Sequence, residues 1–321
     1  MGFVMSVLGP VEVEGPSWGP VDSHEHLLMN GGAIPERFAD IHLYDVEACA
    51  RELEDVRAAG GRVIIEATPI GLGRQPEALA QLARRMGLVI VAATGFHKGA
   101  YYPRSHWVGA AGVERITQLL VADLTEGIDR WDYGAPWVQR TAVRAGVIKI
   151  ATEQHAMSHS QRDVFEAAAS AHAATGAPIT THLEGGTFGL EQLELLRSLG
   201  VQPAAVSLAH VEKNPDAGYH RELAATGAYL VFTSPGRIKY GPDSLLIERI
   251  ASLEAHGYGQ RVLVGGDMAL RSLWRSLGGG PGLGWLFGGF LARLRAELGN
   301  KLADAVTVAN PARAFAWRQH G

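Results

Sequence analysis

The chain has 321 residues, 47% hydrophobic and 19% charged, with 29 Lys and Arg against 33 Asp and Glu and a net charge of −4. Length and apolar content supply a sizeable core, and the near-neutral balance without a basic block excludes nucleic acid as a main partner. A single cysteine, Cys49, rules out an internal disulfide, fits a reducing compartment and leaves any metal to His, Asp, Glu or Lys.

The N-terminal MGFVMSVLGPVEVEG lacks a basic leader and a long apolar stretch. Its start matches the myristoylation pattern M-G-x-x-x-S, but the alternation from Phe3 to Leu8 favours an edge strand opening a short β-hairpin. Eight β-branched or apolar runs follow, predicted as strands over 19–24, 62–68, 88–95, 146–152, 178–184, 204–210, 228–233 and 261–267. Between them lie helical periodicities such as LYDVEACARELEDVRAAG, PEALAQLARRMG and QRDVFEAAASAHAATG, each stopped by glycine. The glycine-rich segment 276–289 is predicted as a long loop after the eighth strand, running into a helix.

Apolar strands alternating with helices select a parallel sheet covered on both faces, and eight such units suggest a (β/α)₈ TIM barrel. A doubly wound nucleotide-binding sheet would carry a glycine-rich phosphate loop after the first strand, where this chain has His24-Glu25-His26. No linker divides the chain, so residues 1–321 are expected to form one domain. No apolar run is long enough to span a bilayer, and a cytoplasmic protein is expected.

Active sites of such barrels lie at the C-terminal strand ends, and ligand-capable residues recur there. His24 and His26 end the first strand and share one face by the period of two, with Asp22 beneath them. Lys149 interrupts the apolar run of strand four; His182, His210 and Asp267 end strands five, six and eight. One strand-end histidine is ordinarily a hydrogen-bonded polar group, and one aspartate a helix cap. Six at matching positions point to a metal centre. A buried lysine can join it only after losing its proton or becoming anionic, as a carbamate formed with carbon dioxide. Four imidazoles, one such bridging group and one aspartate suffice for two divalent ions, and N/O ligation suits Zn²⁺ first, then Mn²⁺ or Co²⁺. Two ions sharing a hydroxide, with Asp267 taking its proton, make metal-assisted hydrolysis the expected chemistry. His42, His106, His155, His159, His172, His220, His256 and His320 fall in helices or loops and default to surface or supporting roles.

His24-x-His26, the lysine of IKIAT, THLEGG, AHVEKNPD, VGGD and the late NPARAF together resemble, in order along nearly the whole chain, the phosphotriesterase family of the amidohydrolase superfamily. The resemblance implies a barrel with a binuclear centre. His24, His26 and Asp267 would hold the more buried ion and His182 and His210 the more exposed one, with an N6-carboxylated Lys149 bridging both. It also implies a lactonase or a phosphotriesterase. GRIKYGPDS and GGGPGL are similar to the branch that opens phosphorylated sugar lactones, although the acidic residue expected near Thr233 is missing. Candidate substrate-binding residues are His97, Lys98 and Tyr101 after strand three, Arg237 and Lys239 after strand seven, and Arg271 after strand eight. These cations favour a lactone carrying an anionic group. The competing activities are phosphotriester hydrolysis and acyl-homoserine lactone hydrolysis; for a long-chain acyl lactone, Trp285, Leu286 and Phe287 would supply an apolar channel. An inactive binding protein on the same scaffold is disfavoured, because every expected ligand is present. The partners expected are a small-molecule substrate, with neither nucleic acid nor membrane, and a second copy in a homodimer.

Overall fold

A computed structural model describes residues 2–31, 38–103 and 105–318; His320 lies outside them. The hairpin forms from β1 (Phe3–Ser6) and β2 (Gly9–Glu12), paired antiparallel with Val4 opposite Val11. All eight predicted strands follow: β3 (Val21–Glu25), β4 (Val63–Glu66), β5 (Val89–Gly95), β6 (Val147–Thr152), β7 (Ile179–Leu183), β8 (Val206–Ala209), β9 (Tyr229–Phe232) and β10 (Val262–Val264). They are parallel and neighbour one another in chain order. The sheet closes where the Asp267 N–H donates to the His24 carbonyl at 2.9 Å.

One main helix follows each strand: α1 (Val46–Ala58), α2 (Pro76–Met86), α3 (Val108–Thr125), α4 (His159–Thr175), α5 (Gly189–Ser198), α6 (Ala217–Ala225), α7 (Asp243–Ala255) and α8 (Leu291–Leu298). Their ends carry the signals that the sequence predicts. Asp45 caps α1 by accepting from Ala48 N, and Ser158 and Gln161 form a reciprocal capping box on α4. Proline opens α2, and left-handed Gly87 and Gly176 close α2 and α4.

Inside the barrel, Val21, Val63, Ile65, Val91, Val147 and Leu263 pack with Val4 of the hairpin and Phe315 near the C-terminus. This apolar plug fills the lower barrel. Side chains two residues further along the same strand faces therefore look into the upper half. Lys149 follows Val147 in this way, and β-sheet register sets it beside Gly95 and Thr180. Strand β10 is shorter than predicted: Gly265 still donates to Phe232 of β9, but Gly266 and Asp267 turn away to close against β3.

The segment 276–289 is not one long loop. Short turns at Arg271–Leu273 and Arg275–Leu277 precede a wide turn over Leu286–Phe290 that runs into α8. Leu286 and Phe287 are buried in the main core, so they do not line a channel, and Trp285 donates to Asp243 Oδ2 at 3.0 Å. His172 and His220, expected as surface or supporting residues, are buried and bind backbone carbonyls of Ala177 and of Val211 and Asn214.

Candidate metal centre

The strand ends converge as the register requires. Lys149 Nζ lies 3.3 Å from His24 Nε2. Asp267 Oδ1 is 3.9 Å from His24 Nε2 and 3.8 Å from His26 Nε2, and Oδ2 is 3.9 Å from His210 Nδ1. Donor atoms of His24, His210 and Asp267 lie within 4.8 Å of one another. His182 joins them through its ring, 4.4 Å from that of His210. All six side chains are buried.

Each outer imidazole is turned by a partner behind it. The Thr68 hydroxyl donates to Glu66 Oε1 at 2.5 Å, so it accepts from His26 Nδ1–H at 2.9 Å. That tautomer leaves the His26 Nε2 lone pair facing the cluster. The same relay recurs at His210, whose Nδ1–H donates to Thr233 Oγ1 at 2.6 Å while Thr233 donates to Glu212 Oε1 at 2.9 Å. Glu212, from the turn after β8, thus brings a carboxylate to Thr233, where the neighbouring sequence has none. His182 Nε2–H donates to Glu184 Oε2 at 2.7 Å, leaving its Nδ1 as the available donor atom.

The electrostatics suit ligands to a cation. Burial pushes His26 and His182 down to about 4 and also lowers His24 and His210, so the imidazoles are neutral at neutral pH. Burial brings Lys149 down to about 7, against the pull of Asp267, and makes its free amine accessible. Burial alone would raise Asp267, yet Arg237 and then Lys213 hold it below the usual carboxylate range. Arg237 Nη1 contacts both Asp267 Oδ2 and the Asp267 carbonyl, the latter at 2.8 Å. Four neutral imidazoles, one deprotonable amine and one ionised carboxylate, with no thiolate, form a donor set that fits divalent metal.

Above this floor opens a cavity of about 290 Å³, lined in part by His97, Tyr101, Lys213, Arg237, Lys239 and Tyr240. The His97 ring stacks on Tyr101 with centroids 3.9 Å apart, and its Nδ1 accepts from Lys98 N at 2.8 Å. Its remaining ring nitrogen must then carry the proton in the neutral form. Lys213, Arg237 and Lys239 gather 5.1, 5.1 and 5.5 Å from the Tyr240 ring centre. Two of the sequence-predicted substrate residues lie outside this lining. Lys98 pairs with Glu184 at 2.8 Å and Glu153 at 3.8 Å. Arg271 sits 5.1 Å from the Tyr44 ring centre and donates to the His42 carbonyl at 3.3 Å. Lys213 was not among the predicted site residues. The signal for it was its place in AHVEKNPD, three residues after His210, where a short turn over Val211–Lys213 brings it back to the cavity.

The family model described as the Phosphotriesterase family matches residues 3–315. The chain belongs to the phosphotriesterase family. It is similar to a phospho-furanose lactonase of Mycoplasmopsis synoviae, 32% identical over 98% of this chain and 92% of that protein. Among solved structures it superposes on an amidohydrolase from Mycoplasma synoviae with a TM-score of 0.94 and 31% identity, over 100% of this chain and 93% of that one. It also superposes on a lactonase from Listeria monocytogenes with a TM-score of 0.92 and 29% identity, over 99% and 100%. As a phosphotriesterase-family protein it is a hydrolase of ester bonds in a metal-dependent family, acting on a small molecule. Among the described residues no helix is long and apolar enough to cross a membrane.

Proposed function

We propose that this protein is a binuclear metal-dependent lactonase that opens a lactone bearing an anionic group, such as a phosphorylated sugar lactone. The observation that carries the substrate class is the cationic rim of Lys213, Arg237 and Lys239 around Tyr240, directly above the buried imidazole–lysine–aspartate floor. Similarity to a phospho-furanose lactonase supports the same reading. Residues 1–321 act as one catalytic domain.

His24, His26 and Asp267 would hold one ion, His182 and His210 the other, and an N6-carboxylated Lys149 both. The neutral amine that burial allows at Lys149 is the form that reacts with carbon dioxide. Two divalent ions, Zn²⁺ in first place and Mn²⁺ or Co²⁺ as substitutes, supply Lewis acidity and an activated water when bound. Asp267, kept ionised by Arg237 and Lys213, accepts the water's proton as the lactone carbonyl is attacked and returns it to the ring oxygen when the C–O bond breaks. His97 presents its Nε2–H toward the substrate oxygens, with Tyr101 stacked behind it. Lys213, Arg237 and Lys239 bind the anionic end. The single, buried Cys49 supports a cytoplasmic location. A homodimer belongs to the same reading, and light scattering would detect it.

The test compares a phosphorylated pentonolactone, an acyl-homoserine lactone and paraoxon with metal-loaded protein. The phosphorylated lactone is expected to be turned over at least about tenfold more efficiently than the others, the discrimination that one charge-assisted contact supplies. Absence of any lactone turnover overturns the proposal.

A further inference from the structure

Asp267 has φ +48°, the left-handed region that an aspartate enters only with local support. That support comes from β3. Three successive amides donate to it: Gly266 N to Asp22 Oδ1 at 3.0 Å, Asp267 N to the His24 carbonyl at 2.9 Å, and Met268 N to Glu25 Oε1 at 2.6 Å. The two carboxylate oxygens are shared. Asp22 Oδ1 also accepts from His24 N at 3.1 Å, and Glu25 Oε1 from His26 N at 2.8 Å. Each acid therefore joins the backbone of one histidine to an amide flanking Asp267.

The glycines of VGGD fit this clasp. A Cβ at Gly265 would stand 2.7 Å from His24 N, and one at Gly266 would stand 2.5 Å from Glu25 Oε2. Neither acid lines the cavity, and both are buried, 2% and 0% exposed. Barrel closure alone needs no carboxylates, since backbone carbonyls close every other strand pair of the sheet. Acceptors on side chains reach amides that have already left the ladder.

We propose that Asp22 and Glu25 are positioning residues. By clasping the amides on either side of Asp267 they fix its left-handed turn, which aims the carboxylate between His24 and His26. This rests on the reading of Asp267 as ligand and proton acceptor. Glu25, the residue between the two histidines, thereby joins the catalytic architecture without touching substrate or metal.

The test uses Glu25→Gln, Glu25→Leu and Gly266→Ala in the full chain. Glutamine keeps a carbonyl oxygen for both amides; leucine keeps the bulk and removes the acceptor. For Glu25→Leu, kcat is expected to fall about a hundredfold while KM moves less than about threefold, the signature of a misplaced reacting group. Metal per chain after dialysis against a weak chelator falls with it, and Glu25→Gln restores both to within about threefold. Gly266→Ala, whose methyl displaces the Glu25 carboxylate, shifts both in the same direction, and its loss is not additive with that of Glu25→Leu. In chelated protein, hydrogen exchange at the amides of residues 266–268 is slow in wild type and Glu25→Gln and fast in Glu25→Leu. Wild-type kcat and metal content in Glu25→Leu, or equal losses in Gln and Leu, overturn the proposal. Should Glu25→Leu fail to fold, unchanged kcat and metal content in Gly266→Ala overturn it. Wild-type protein that neither retains metal nor opens lactones defeats the underlying functional reading instead, and the exchange measurement still decides the clasp.

Discussion

At the cavity floor, His26 and His210 each have a threonine and a glutamate behind them, His182 has Glu184, and Asp267 has β3 on one side and Arg237 on the other. At the mouth, Lys213, Arg237 and Lys239 share a single tyrosine ring, and Ile238 between two of them is 77% exposed. Both regions are built from ionisable groups. They differ in how many contacts hold each group. The floor is over-determined by strand register and buried hydrogen bonds, which suits a reaction that tolerates little misplacement. The mouth is built from loop residues with few fixed partners, which suits recognition of one ligand among several. The chemistry is expected to depend on the floor and the choice of substrate on the mouth, and variants in each region test that division.

The largest effect is expected at the centre of the floor. Lys149→Ala removes the group proposed to bridge two ions and leaves His24 without its buried neighbour in a polar site. Bound metal should fall from about two ions per chain to one or fewer, and activity by more than about a thousandfold, the scale for losing a component of a two-metal site. Elemental analysis and lactone turnover measure the two together. Full activity with normal metal content would erase the distinction between floor and mouth.

A smaller effect is expected at the mouth. Lys239→Met removes one cation without touching a floor residue's hydrogen bond. It should raise KM for an anionic lactone about tenfold, roughly the value of one charge-assisted contact in a partly open site, and leave kcat within about threefold. A neutral lactone should not respond to the change, and added salt should shrink the wild-type preference. Arg237 and Lys213 would not serve here, since both also hold Asp267 ionised and belong to both regions. If Lys239→Met lowered kcat and spared KM, the rim would have to be counted with the chemistry.

The same division describes what was legible in the sequence. Strand ends can be located from apolar periodicity, and an ionisable residue inside such a run, as at Lys149, stands out because burial demands a reason. The six floor residues and the eight strands were accessible in that way. Partners behind them were not. Glu66 lies 40 residues from His26, Glu212 reaches Thr233 from the preceding strand end, and the clasp on Asp267 spans the barrel seam. Each depends on pairing between segments that periodicity within one segment does not reveal. Loop cations were visible as residues but not as directions, so Lys98 and Arg271 were grouped with Arg237 although they bind Glu184 and the Tyr44–His42 turn. Leu286 and Phe287 were ambiguous for the same reason. An apolar pair after a glycine-rich stretch serves a channel or a core equally well until its helix is placed.

The smallest effect reads proton binding at the floor in chelated protein. Burial lowers Lys149 from its ordinary 10.5 to about 7. Between pH 7 and 10.5 the unfolded chain therefore carries a proton at Lys149 that the folded chain lacks. Wherever the unfolded state binds more protons, stability rises with pH, here by at most about 1.4 kcal/mol per pH unit for one group. Below pH 7 both states are protonated and the full cost of burying the ammonium is borne. Lys149→Met keeps the apolar stem and removes the charge, so its stability lacks this contribution. In the presence of chelator, the melting temperature of wild type relative to Lys149→Met should climb by a few degrees from pH 7 to pH 10. Other buried groups, including the acids Asp22, Glu25 and Glu66 and the lowered histidines, are common to both proteins and drop out of the difference to first order. A flat difference would mean that the floor does not depress the Lys149 ammonium, and the reason for expecting a reactive amine there would be lost.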